Sequence, residues 1–190
     1  LPPSSKVEIY REVVPGNLDQ PLTGIPVWHL PLKLTPDLQW ENPQILQKLT
    51  PHKSMHLSVE LDERFFVSIL LLRALRKALQ EKDLFEVTIW ARPASHLLEV
   101  SSYLPHAGQE ENLIRLTTYA MSAIMGGCAY VYIPAIRVQG PHAERWSRNI
   151  SHILRYEVPY LSTTPDPLAG SFFIEAETHR LAQELGPYLP

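Results

Sequence analysis

From residue 54 onward, short β-rich runs alternate with longer stretches whose apolar residues recur every three or four positions. "SMHLSVEL" (54–61) reads as a strand. "DERFFVSILLLRALRKALQEK" follows; it is apolar around much of its circumference, which predicts a well-buried helix, with Asp62 placed to cap it. "FEVTIWA" (85–91) predicts the next strand, and "SHLLEVSSYLPHAGQ" a loop. "EENLIRLTTYAMSAIMGG" sets Leu113, Leu116, Ala120 and Ile124 on one helical face and stops at Gly126-Gly127. "CAYVYIPAI" (128–136) is nearly continuous in apolar character, as in a strand buried on both faces. "GPHAERWSRNISHILRYEV" predicts a helix with Pro141 in its first turn and Trp146, Ile150, Ile153 and Leu154 on one side. The last run, "TPDPLAGSFFIEAETHRLAQEL" (164–185), opens on Asp166-Pro167, takes a small Ala-Gly-Ser step and ends in an amphipathic helix.

The order strand, helix, strand, helix, strand, helix, helix argues for parallel βαβ units with right-handed crossovers. Residues 1–53 differ. Prolines punctuate "QPLTGIPVWHLPLKLTPDL" and its surroundings, removing backbone donors and breaking helices. This part reads as an extended, proline-rich arm with an edge strand at 25–34 and a helical turn near 43–49, and residues 54–190 as the α/β domain.

Composition narrows the setting. The 190 residues suit one domain with a small appendage, and 45% hydrophobic content supports a sizeable core. A net charge of -3 gives no electrostatic case for nucleic acid or an anionic membrane. No apolar run approaches the roughly 20 residues of a membrane span. A single cysteine, Cys128, allows no internal disulfide and fits a reducing, cytoplasmic compartment.

Generic catalytic motifs are missing: no GxGxxG, no Walker loop, no GxSxG. His52 and His56, four apart, would bind a metal from a helix, but their segment alternates like a strand. Cys128 begins a strand and reads as a packed thiol. Asp62 and Glu63 read as a cap and a first-turn charge. Phe65, Phe66, Leu70 and Leu71 read as core.

"DPLAGSFFIEAET" closely resembles a segment of methylmalonyl-CoA mutases, with Asp166, Pro167, Gly170, Ser171, Phe172, Phe173 and Glu175 carrying the match. "ERWSRNISHILRYE", "ENLIRLTTYAMSAIMGGCAYVYIPA" and "DERFFVSILLLRALRKAL" resemble that family's preceding blocks, in the family's order and closest to its small, non-catalytic subunits. The resemblance implies an acyl-CoA-binding (β/α)8 barrel, of which this chain would carry a partial unit with three or four parallel strands plus the arm. It also implies that the Asp166 segment is a structural closing turn: Asp166 caps the last helix, and an aromatic pair packs.

The resemblance bears on chemistry as well. Catalytic members carry Arg-Ala-His-Cys-Gln-Thr-Ser where this chain reads "IWARPASHLL". Trp90 and Pro93 stand at places that need polar groups, and His96 is displaced. Ala129 stands where a substrate-contacting Gln is expected, and Ser54 and His56 where an Arg and a Ser hold the CoA side. The Asp-x-His that supplies the lower cobalt ligand does not occur. The resemblance therefore implies no catalytic, cofactor-binding or metal residue here, and adenosylcobalamin only in catalytic relatives. Three readings follow. The chain is a non-catalytic, structural subunit, as a homodimer or with a mutase-type partner chain. Alternatively it is a fragment of an active cobalamin-dependent acyl-CoA mutase completed by another chain, or a small acyl-CoA-binding module.

Overall fold

The computed structural model describes residues 8–11, 27–49, 55–84, 87–94, 97, 108–134, 143–158, 161 and 164–190. Ser54, His52, His96, Pro141 and most of the predicted loop before the second helix lie outside them. The elements run β1 (Glu8–Arg11), β2 (Val27–Leu30), β3 (Lys33–Leu34), β4 (Trp40–Glu41), a 3-10 turn (Pro43–Lys48), β5 (Met55–Leu61), α1 (Phe65–Glu81), β6 (Val87–Pro93), α2 (Gly108–Met125), β7 (Tyr130–Ile133), α3 (Ala143–His152) and α4 (Phe172–Leu185).

The main sheet has the order β1-β7-β6-β5-β2, and every pairing in it is parallel. The family-like strands β5, β6 and β7 sit side by side in its centre, flanked by helices, as expected of a partial barrel. The expected edge strand is β2, and the expected helical turn spans Pro43–Lys48. The fifth strand, β1, was not anticipated; it pairs with β7 at the far edge.

Alternation explains which face the sheet buries. Met55, Leu57, Val59 and Leu61 of β5, Ile89 and Ala91 of β6, and Val131 and Ile133 of β7 point into one core with buried side chains of all four helices. α1 is the centre of that core. Ile69, Leu70, Leu71, Leu72, Ala74, Leu75, Ala78 and Leu79 are all buried because α2 and α4 both pack against it. Burying one such leucine is worth about 1.5–3 kcal/mol. The proline-punctuated segment joins this core. Leu30, Leu32, Leu34, Leu46 and Leu49 are buried in it, and the Trp40 indole Nε1 donates to the Leu181 carbonyl at 3.2 Å.

Several local expectations change. β7 is buried on one face only: Val131 and Ile133 are buried, whereas Tyr130 and Tyr132 are half-buried on the other face. Asp62 does not cap α1. It lies two residues ahead of the helix's N-cap position, Arg64, and instead accepts the Arg64 backbone N–H at 2.9 Å in a local turn. On α3, Ile150 and Leu154 are buried and Trp146 packs against the core, since 146, 150 and 154 form an i, i+4 row. Ile153 falls off that row, at the start of a π-helical turn (Ile153–Glu157), and is exposed. Phe65 and Phe66 meet edge to face at the start of α1, with Phe66 exposed.

The Gly126-Gly127 stop is borne out. Gly127 adopts φ +84°, its N–H donates to the Ile124 carbonyl, and the Cys128 N–H donates to Ala123. Arg76 from α1 donates to the Gly127 carbonyl, which ties α1 to the end of α2.

Candidate functional site

The positions that alternate with the core define the second face of the sheet: His56, Ser58 and Glu60 on β5, Thr88, Trp90 and Arg92 on β6, and Tyr130 and Tyr132 on β7. Parallel register brings them into rows. Ser58 lies level with Trp90 and Trp90 with Tyr130; Glu60 lies level with Arg92. A strand buried on both faces would carry aliphatic residues at these places. Here they are polar and aromatic.

Two contacts organise the face. The Trp90 indole lies against the Tyr130 ring, centroids 4.3 Å apart and tilted 33°, and 5.7 Å from the His56 ring on its other flank. Trp90 Nε1 donates to His56 Nδ1 at 3.1 Å. That bond needs a lone pair on Nδ1, so it fixes the neutral imidazole with its proton on Nε2. Burial favours the same form by holding the His56 pKa below its ordinary value. Towards the carboxyl ends of the strands, Arg92 Nη2 donates to Glu60 Oε2 at 3.1 Å. Arg92 Nε is buried without a hydrogen-bond partner among the described residues. From the opposite side, the Tyr119 hydroxyl donates to the Tyr132 carbonyl at 2.9 Å and fixes the α2–β7 contact.

The chemistry available is therefore limited. The His56 lone pair that could take a proton is engaged by Trp90, and the Arg92 guanidinium is engaged by Glu60. The face offers a flat aromatic surface beside a paired charge. Cys128, expected to be inert, is buried, and burial pushes its thiol up to about 12. No cluster of three or more His, Cys, Asp or Glu side chains that could hold a metal occurs among the described residues. A cleft between β3 and the start of α1, lined by Lys33, Glu60, Asp62, Arg64 and Ser68 among others, measures about 30 Å³. That is space for about one water, far below the ~300 Å³ of a small-molecule pocket.

Of the positions singled out in the sequence, His56 and Trp90 are brought into contact. Pro93 is buried at the end of β6 on the core side. Ala129 precedes β7, and its N–H donates to the Ile89 carbonyl at 3.0 Å. Glu60, Arg92, Tyr130 and Tyr132 were missed. The signal was present in the two-residue spacing of the tyrosines around Val131.

The Asp166 segment is a tight turn, as expected, with different contacts. Asp166 Oδ1 accepts the Leu168 N–H at 3.0 Å, and both carboxylate oxygens accept from Arg73 Nη1 of α1, at 2.8 and 2.9 Å. It does not cap α4, whose N-cap is Ser171, five residues on. Gly170 adopts φ +82°, and Glu175 reaches back from the first turn to accept its N–H at 2.7 Å. Pro167 is half-buried in the turn. The aromatic pair does not pack: Phe172 is 87% exposed and Phe173 56%, while the next residue, Ile174, is buried. One helical turn cannot direct three successive side chains to the same core.

The sequence profile of methylmalonyl-CoA mutase matches residues 50–189. The chain belongs to the methylmalonyl-CoA mutase family. The methylmalonyl-CoA mutase of Rhizobium meliloti (strain 1021) is 32% identical over 77 residues, which are 38% of this chain and 11% of that protein. The chain thus spans a small part of that mutase's length. The family match begins within the last few residues of the proline-punctuated segment, so β1 to β4 lie outside it and β5 to α4 inside. Among the described residues, no helix is long and apolar enough to cross a membrane.

Proposed function

We propose that this chain is a non-catalytic member of the mutase family that acts by association, as a structural subunit in a cytoplasmic assembly. The Trp90–His56 hydrogen bond carries the reading. These two residues stand at positions where the family resemblance calls for substrate-facing polar groups, and here each satisfies the other. The chain's part is to present a folded portion of a barrel wall, with its partner supplied by a second copy or a mutase-type chain. The two edges of the parallel sheet support this: among the described residues β1 and β2 have no strand on their outer sides, and an unpaired edge favours pairing with another chain.

Adenosylcobalamin, the family's cofactor, does not fit the residues present. Among the described residues, His56 and, by its register with Ser58, His29 fall on the barrel-like face, and the His56 Nδ1 already accepts from Trp90. No step of a radical isomerisation is assigned to this chain.

A second reading has its own support. The match to only 11% of a full mutase is also what one piece of an active enzyme would give, with the remaining strands and the cofactor on another chain. One experiment separates the two. Purified chain is incubated with adenosylcobalamin, stripped of free cofactor, and assayed for corrin absorbance and for isomerisation of methylmalonyl-CoA, alone and with a catalytic mutase chain. The subunit reading expects neither signal from the chain alone and no gain in activity per catalytic chain in the mixture. Stoichiometric corrin retention, or activity appearing only in the mixture, overturns it.

A further inference from the structure

We propose that two copies of this chain close one parallel barrel, the β2 edge of each copy pairing with the β1 edge of the other. The proposal rests on the association reading above and names its partner and surface.

The sheet is a strip that ends in β1 on one side and β2 on the other, with all five strands pointing the same way. A two-fold axis along the strand direction maps each strand onto one of the same direction. It brings β1 of one copy beside β2 of its mate, in parallel, and does so at both seams at once. Each copy contributes the same two surfaces, as a closed dimer requires. No edge is left over.

The edges match. Both strands are four residues long, and Pro26 and Pro31 bracket β2, which limits the ladder to that length. Within the ladder neither strand holds a proline; β1 carries the charges Glu8 and Arg11 at its two ends, and β2 carries none of the acidic or basic residues Asp, Glu, Lys or Arg. Ile9 and Tyr10 on one side, Val27 and Trp28 on the other, are types that favour strands.

The sheet's two faces argue against the alternative, a strip that closes on itself. About eight strands give a barrel lumen just wide enough to be filled by side chains. A five-stranded closure would have to hold Trp90, Arg92, Tyr130 and Tyr132 inside a much narrower space. β1 and β2 are not paired with each other in this structure. Two strips give a ten-stranded wall, in which those large half-buried side chains have room to line the interior. The helices, most of whose buried apolar residues join the core on the other face, remain outside. An all-parallel sheet then has both faces covered, as such sheets almost always do.

The test uses the whole 190-residue chain. Sedimentation equilibrium at micromolar concentration is expected to give twice 21.7 kDa. Ile9 lies level with Val131 and Trp28 with Leu57, so the two positions fall on the same side of the strip. In a Cys128→Ala background, Ile9→Cys is combined in turn with Trp28→Cys and with Leu30→Cys, the β2 positions on the same side of the strip, and one of the two pairs should oxidise to a covalent dimer. Trp28→Pro should weaken the dimer at least ~100-fold by disrupting the β2 ladder; if that variant does not fold, the cross-link decides. A monomer, a dimer that neither pair links, or a link formed within one chain each overturns the proposal. A monomer that binds a mutase-type chain would overturn the second-copy partner and leave the association reading intact. Cobalamin retained by a cross-linked dimer would do the reverse.

Discussion

Asp166 and Arg73 are joined by two hydrogen bonds from one guanidinium nitrogen, at 2.8 and 2.9 Å, with both side chains only 13% exposed. This pair anchors the turn before α4 to the middle of α1. Removing the carboxylate alone leaves a largely buried guanidinium uncompensated, so Asp166→Ala should cost roughly 3 kcal/mol, more than a lost helix cap. Arg73→Met combined with Asp166→Ala should recover much of that loss, because an apolar replacement of the whole pair removes the unpaired charge. Urea unfolding of the two variants and the parent checks both statements. A double variant no better than Asp166→Ala would contradict this account.

Gly170 and Gly126 should fail for different reasons. Gly170 has φ +82° and open space around a would-be Cβ. Gly170→Val should therefore cost about 1–2 kcal/mol from backbone strain alone, and Gly170→Asn clearly less, since Asn tolerates the left-handed region. At Gly126 a Cβ would meet the Leu72 side chain at 2.6 Å. Gly126→Ala should cost about 1–3 kcal/mol by overpacking, and Leu72→Ala should relieve only part of that clash, because the Leu72 Cβ, at 2.9 Å, remains. A double-mutant cycle at 126 and 72 with no coupling would show that the close approach does not matter.

The Trp90–His56 bond gives stability a pH dependence of known sign. Burial lowers the folded-state pKa of His56 below the unfolded value of about 6.5. The unfolded chain then binds the proton first, so stability contributed by neutral His56 is complete above that pH and declines as pH falls through the folded pKa. Protonation also turns Nδ1 into a donor that can no longer accept from Trp90. Denaturant stability measured from pH 8 to 5 should fall more steeply for the parent than for His56→Phe. Parallel curves would count against the assignment.

Cys128 should resist modification. Its thiol is buried and its pKa is pushed to about 12 by burial, so thiolate is scarce at pH 8. Ellman's reagent should label no thiol in the native chain and one per chain in denaturant, since the sequence contains a single cysteine. Rapid labelling of the folded protein would show that the α2–β7 junction opens.

Much of the scaffold was legible because alternating and 3.6-residue patterns report burial directly. The strands at 54–61 and 85–91, the helix ending at Gly126-Gly127 and the short strand flanked by Pro26 and Pro31 all follow from local chemistry. What was hidden depends on residues distant in sequence. Asp166 was marked by its neighbours as a turn residue, but its partner Arg73 lies 93 positions away. The second face of β7 was masked because tyrosine counts as apolar in a run such as "AYVYI", although its ring can equally stack on a half-open surface. β1 carries no local sign that it would sit beside the last strand of the sheet. That placement belongs to the topology.

The bond from Trp40 to the Leu181 carbonyl bears on where this protein can be cut. It joins a residue that precedes the family-matched region to the final helix, and Arg180 returns the contact by donating to the Leu38 carbonyl at 3.3 Å. A chain trimmed to start at residue 50 would keep the part that matches the family. It would lose the Trp40 clasp and Leu30, Leu32, Leu34, Leu46 and Leu49 from the core, and so uncover α1 and α4. Family match and packed core thus have different borders in this molecule: the matched part is shorter than the part that shares one core.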